Sequence, residues 1–141
     1  MSTRATFTFA DTCDEVHVYQ HYDGYPQGAA VSLTMARLSR LAWPHPRFEA
    51  DEYAAAFIAA NKIEPGGYRI VSRWDKAVDI EWHYLITQSP FGKQPLIIQV
   101  SKVVGDCLHT GRLLTKKHWS GPLSHFLINQ GTIESREEVY A

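Results

Sequence analysis

Val16-His17-Val18-Tyr19-Gln20-His21-Tyr22-Asp23-Gly24-Tyr25-Pro26-Gln27-Gly28 reads as a strand that stops at a turn and hands over to a helix. The alternation from Val16 to Tyr22 has the period of two expected of a strand with one buried face. Gly24, Pro26 and Gly28 then break the pattern. Just ahead of it, Thr6-Phe7-Thr8-Phe9-Ala10 alternates in the same way, and Asp11-Thr12-Cys13-Asp14 is turn chemistry. Together the two runs predict a β-hairpin with a four-residue connection.

Working outward, residues Ala29 to Ala42 have helical spacing. Val31, Met35, Leu38 and Ala42 share its apolar face, with Leu41 beside them. Arg37 and Arg40 face outward near the end where the helix dipole favours cations. Trp43-Pro44-His45-Pro46 stops this helix, because proline cannot continue it. A second helix is predicted from Glu49 to Asn61, with Ala50, Tyr53, Ala54, Phe57 and Ile58 as its apolar stripe and the run Ala54-Ala55-Ala56 leaving room for close packing. Strands follow at Tyr68–Trp74, Asp79–Thr87 and Leu96–Val104, the last apolar on both faces at its start and therefore central. Arg112 to Lys117 suggests a further strand. Pro122 opens a short helix with Leu123, Phe126 and Leu127 facing in, and Gly131 ends it. The acidic tail, residues 132–141, reads as frayed. The order β-β-α-α-β-β-β predicts a single α+β domain over residues 1–141. Its antiparallel sheet has about five strands, with two helices over one face and a short C-terminal helix.

A chain of 141 residues buries about two thirds of its unfolded surface, enough for one real core. The net charge of -1 argues against nucleic acid as a partner, since phosphate binding needs a surplus of Lys and Arg. The basic stretch Lys116-Lys117-His118-Trp119 with Arg112 reads as a solvated edge. No apolar run approaches the ~18 residues of a membrane span, and no apolar segment follows Met1-Ser2-Thr3-Arg4 as in a secretory signal. The two cysteines, Cys13 and Cys107, read as free thiols of a cytoplasmic protein rather than a disulfide.

The opening stretch also carries the candidate chemistry. His17, Tyr19, His21 and Asp23 fall at spacings that place them on one strand face. Two imidazoles and a carboxylate can hold a divalent metal, or serve as a general base with its orienting group. The same residues also suit a tied-down turn, with Asp23 accepting backbone N–H bonds and Gly24 taking a positive φ. Glu81 and His83 form a second polar pair that would join His21 if their strand lay nearby. No phosphate-binding loop and no serine or cysteine nucleophile motif is present.

Tyr19-Gln20-His21-Tyr22-Asp23-Gly24-Tyr25-Pro26-Gln27-Gly28 resembles a signature of small phage- and prophage-encoded proteins, in which an aromatic- and His-rich strand precedes Asp-Gly-Tyr-Pro. The resemblance covers His21, Asp23, Gly24, Tyr25 and Pro26 and assigns no catalysis. It implies the biology of anti-defence factors, anti-CRISPR proteins among them, which act by covering a host protein surface. The surplus of Trp and Tyr fits such contacts. The expectation is therefore a cofactor-free, non-enzymatic binding protein acting on a host protein or protein complex in the host cytoplasm. Its contact residues are expected to be Tyr19, His21, Tyr22, Asp23, Tyr25 and Trp119. The alternative is a small enzyme or ligand-binding protein using His17, His21 and Asp23, with or without a metal.

Overall fold

The computed structural model describes residues 2–44, 46–76, 79–89, 96–106 and 110–132. The chain order is β1 (Ala5–Ala10), β2 (Glu15–Gln20), α1 (Pro26–Ser39), α2 (Ala50–Asn61), β3 (Tyr68–Val71), a 3-10 turn at Trp74–Lys76, β4 (Trp82–Gln88), β5 (Leu96–Asp106), β6 (Leu113–Pro122) and α3 (Leu123–Ile128). This is the expected α+β class. Residues 133–141 of the acidic tail, Cys107 with its neighbours and most of the Ser89–Pro95 loop lie outside the described residues.

The predicted hairpin forms with its four-residue connection, pairing Ala5 with Gln20 and Ala10 with Glu15. The Asp11 carboxylate ties that connection. It accepts the backbone N–H of Cys13 and of Asp14, each at 2.7 Å, and also that of Ala50 at 2.8 Å. One side chain thus closes the turn and caps α2, whose own Glu49 makes no side-chain cap. These bonds hold the Asp11 carboxyl below its ordinary range, the bond from Ala50 being the strongest cause.

The sheet differs from the expectation in two respects. It has six strands, in the order β3-β2-β1-β4-β5-β6, and β1 pairs with β4 in parallel, Ala5 opposite Trp82. The reason is non-local. After the helices the chain returns as β3 on the free edge of β2. To reach the other side of β1 it must then cross the sheet, and Trp74–Lys76 lies on that crossing. β3 therefore ends at Val71 rather than Trp74. β4 starts at Trp82 rather than Asp79, whose φ of 59° is incompatible with a strand.

The core lies between the sheet and the helices. Phe7 and Phe9 of β1, Tyr84 and Ile86 of β4, Ile98 and Val100 of β5, and Phe57 of α2 are fully buried there. Phe7 sits 4.8 Å from the Phe57 ring and 4.9 Å from Tyr84. The α2 stripe is the expected one, and α3 buries Leu123, Phe126 and Leu127. Helix α1 is turned around its axis relative to the expectation. It buries Ala29, Ala30, Leu33 and Ala36 against its neighbours, while Val31, Met35 and Leu38 face solvent. Small residues win because α1 packs against α2, whose buried Ala54 and Ala56 allow a close approach.

Candidate functional site

The turn after β2 is fixed by three residues. Gln20 lies on the helix side of the sheet, 1% exposed, and its side-chain amide donates to the carbonyls of Tyr22 and Asp23 at 2.6 and 3.2 Å. Asp23 takes a φ of 56° and reverses the chain. Gly24 packs so closely on β1 that an added Cβ would lie 2.7 Å from that of Ala5. Its N–H donates to Thr3 O, and its carbonyl accepts the Tyr84 hydroxyl at 2.7 Å. At Gly28 a Cβ would collide with the Asp23 carbonyl. Both glycines of the motif thus have a steric reason, with no ligand required. Pro26 stands at the first position of α1, where a missing N–H costs nothing.

The locked turn forms one wall of a cavity of about 520 Å³. Tyr22, Asp23 and Tyr25 come from the turn, Gly28, Val31 and Ser32 from α1, and Asn61, Ile63, Glu64 and Tyr68 from the end of α2 and the start of β3. Tyr22 and Tyr25 are about half exposed at the rim. Inside, the Ser32 and Tyr68 hydroxyls are 2.9 Å apart, and the Asn61 amide donates to the Ser32 and Phe57 carbonyls at 2.9 and 2.8 Å. Burial raises the Tyr68 hydroxyl above its ordinary range, and the nearby Asp23 charge adds to that. Gln20 also lines the cavity. Its Oε1 is the one buried side-chain acceptor without a partner among the described residues.

The structure brings only part of the expected contact set together. Tyr22, Asp23 and Tyr25 share the cavity. Tyr19 is buried on the opposite face, under the Arg69 guanidinium at 4.6 Å, with its hydroxyl on His21 Nδ1 at 2.7 Å. His21 also lies edge-on to the Tyr22 ring. Trp119 belongs to β6, across the sheet, where its ring folds over Gly121 and packs near Phe126. His17 bonds Thr8 at 2.8 Å. His17, His21 and Asp23 therefore do not converge, and no group of three metal-ligating side chains forms among the described residues.

His17 instead joins a polar layer on the outer face of the sheet. His83 projects there from β4, 3.0 Å from the Thr6 hydroxyl and stacked under Trp74 with ring centroids 4.1 Å apart. It meets Thr6 and lies near His17, and so does not enlarge a site at His21. Burial lowers its pKa to about 3, with the His17 charge adding to the effect, so His83 is neutral at physiological pH. Asp75, also buried, is held in a fork by Arg73 at 2.9 and 3.1 Å, with Arg112 at 4.0 Å. Cys13 is a free, exposed thiol.

A second cavity, of about 670 Å³, lies at the other end of α1 among Arg37, Arg40, Trp43, Arg47, Phe48 and Tyr53. Arg47 stacks on Trp43 at 3.4 Å and pairs with Glu49. The two cavities differ in sign. The charged residues lining the first are Asp23 and Glu64, and those lining the second are arginines. No known protein family, curated protein or solved structure matches this chain. No helix among the described residues is long and apolar enough to cross a membrane.

Proposed function

We propose that this chain is a phage-type binding protein that modulates a host protein complex by steric contact, with the outer face of α1 as its docking surface. The observation that carries this reading is the apolar row on that face. Val31 is 61% and Leu38 68% exposed, with Met35 between them and Leu41 just beyond. An amphipathic helix ordinarily turns such a row inward. Covering the exposed parts of these side chains would contribute on the order of 3–6 kcal/mol to association. The row begins at Val31 on the lip of the acidic, tyrosine-rimmed cavity, and the arginine-lined cavity lies at the far end of the helix. A partner surface with an apolar ridge, a basic group at one end and an acidic group at the other would complement it. The Asp-Gly-Tyr-Pro signature supports a host protein as that partner.

The test is affinity capture from host lysate with the tagged chain and with Leu38→Glu in parallel. The reading expects one stoichiometric partner with the native chain and its loss with the variant. A clean blank, or equal capture by both, overturns it.

A further inference from the structure

We propose that the cavity at the C-terminal end of α1 binds a small amphipathic carboxylate. Arg37, Arg40 and the Tyr53 hydroxyl would hold its head, and Leu96, Leu123 and Leu127 would cover its apolar body. The cavity measures about 670 Å³, within the roughly 300–1,000 Å³ of small-molecule sites. It lies where the end of α1 and the connection to α2 meet α3 and the start of β5. Its walls are apolar: Ala36, Ala42 and Phe48 join the three leucines. Its charged members are Arg37, Arg40 and Arg47, and no carboxylate lines it.

The three cations are not equally committed. Arg47 sits over the Trp43 ring at 3.4 Å and gives its Nε to Glu49 at 2.8 Å. Arg37 and Arg40 are exposed and have no ion pair or side-chain hydrogen bond among the described residues. Tyr53 is an independent observation. Its ring is fixed between Phe9 and Phe48, with centroids 5.4 and 5.5 Å away. Its hydroxyl makes no hydrogen bond among the described residues. Unlike Gln20 Oε1, that hydroxyl is not sealed from solvent, and Tyr53 lines the cavity. Burial pushes its pKa up to about 12, the Arg37 charge opposing the rise, so at neutral pH it keeps a proton to donate.

This lining selects the ligand. A strongly hydrated dianion such as inorganic phosphate would lose water to leucine walls that return no hydrogen bond. A plain hydrocarbon would leave the guanidinium groups and the hydroxyl unused. A carboxylate matches the guanidinium fork in two parallel bonds, and an attached apolar chain fits the walls. The apolar row of α1 that carries the docking proposal contributes none of these residues, so the two stand or fall separately.

The test is titration of the ¹⁵N-labelled chain with octanoate at about pH 7.5, where a carboxylate is ionised. Octanamide serves as the uncharged isostere and acetate as the head without the chain. The expected result is saturable one-to-one binding with Kd on the order of 1 mM, with shifts centred on Ala36, Arg40, Tyr53 and Leu127. Octanamide and acetate should each bind at least about tenfold more weakly. So should octanoate to the variant Arg37→Gln with Arg40→Asn, which keeps a residue tolerant of positive φ at 40. Tyr53→Phe should weaken octanoate by about threefold or more. No saturable shift at ~20 mM, equal binding of octanamide or acetate, or an unchanged affinity in the folded double variant overturns the proposal.

Discussion

The two faces of this sheet both carry polar side chains, yet they are finished differently. On the outer face Thr6 meets His83, Thr8 meets His17, Tyr19 meets His21 and Asp75 meets Arg73. Trp74 then lies over His83. On the helix side, around the turn after β2, a cavity stays open, Gln20 Oε1 has no donor, and the apolar row of α1 faces outward. The first arrangement is what a scaffold needs: polar groups taken out of water and paired with one another. The second leaves both polar and apolar groups wanting a partner. The face most crowded with candidate catalytic residue types is thus the one with the least free chemistry, and the proposed docking surface lies on the other side.

Four tests would break or sharpen that contrast. The largest effect is expected at Gly28. Gly28→Ala drives a Cβ into the Asp23 carbonyl and should cost more than about 3 kcal/mol, seen as a lower midpoint in thermal unfolding followed by circular dichroism. Gly67→Ala, on the far wall of the same cavity, meets nothing closer than 3.7 Å and should be nearly neutral. Equal effects would mean that the turn is not locked as described.

Next comes acid. His83 has a folded pKa of about 3 against an ordinary 6.5. Above pH 6.5 both folded and unfolded chains hold it neutral, and it adds no pH dependence. Below that, the unfolded chain binds a proton that the folded chain refuses, so stability falls as pH drops from 6.5 towards 3. By pH 4.5 the loss should reach about 2–3 kcal/mol. His83→Gln should flatten that part of the profile in urea unfolding. A profile unchanged by the substitution would place His83 in contact with water and reopen the outer face as a site.

Asp11 comes third. Asp11→Ala should cost ~1 kcal/mol, the usual size of a lost helix cap. Its lowered pKa puts that contribution fully in place above pH 3.8 and removes it only as pH falls further, through the folded value. The Asp11 window therefore lies below most of the His83 window, and pH titration of the two variants should separate them. The smallest stability effect is expected at Val31→Glu and Leu38→Glu, within ~0.5 kcal/mol because both side chains are exposed. A large destabilisation there would show that the row is packed rather than presented.

Much of this contrast could be read in advance, and the rest could not for identifiable reasons. Thr-Phe-Thr-Phe and the alternation at Asp79–Thr87, with Leu85 its one exception, marked strands by their period of two, and the α2 stripe was equally plain. Helix α1 offered two stripes at helical spacing, one of alanines with Leu33 and one of larger residues. Choosing between them required knowing that α2 would present alanines to it. The parallel pairing of β1 with β4 depends on where β3 docks, which no local pattern records. At the site, Tyr22, Asp23 and Tyr25 were legible from their crowding in one turn. Gln20 was overlooked, although its place in register with Val16 and Val18 put an amide on the core side of β2. Asn61, Glu64 and Tyr68 reach the cavity only through the fold.

The most direct test of the contrast is a photo-crosslinking residue placed at Leu38 on α1, and separately at Lys116 on the solvent-exposed edge strand β6, each irradiated in host lysate. The account predicts a single covalent adduct of defined mass from position 38 and none from 116. An adduct from 116 with none from 38 would contradict it, and would move the binding surface away from α1.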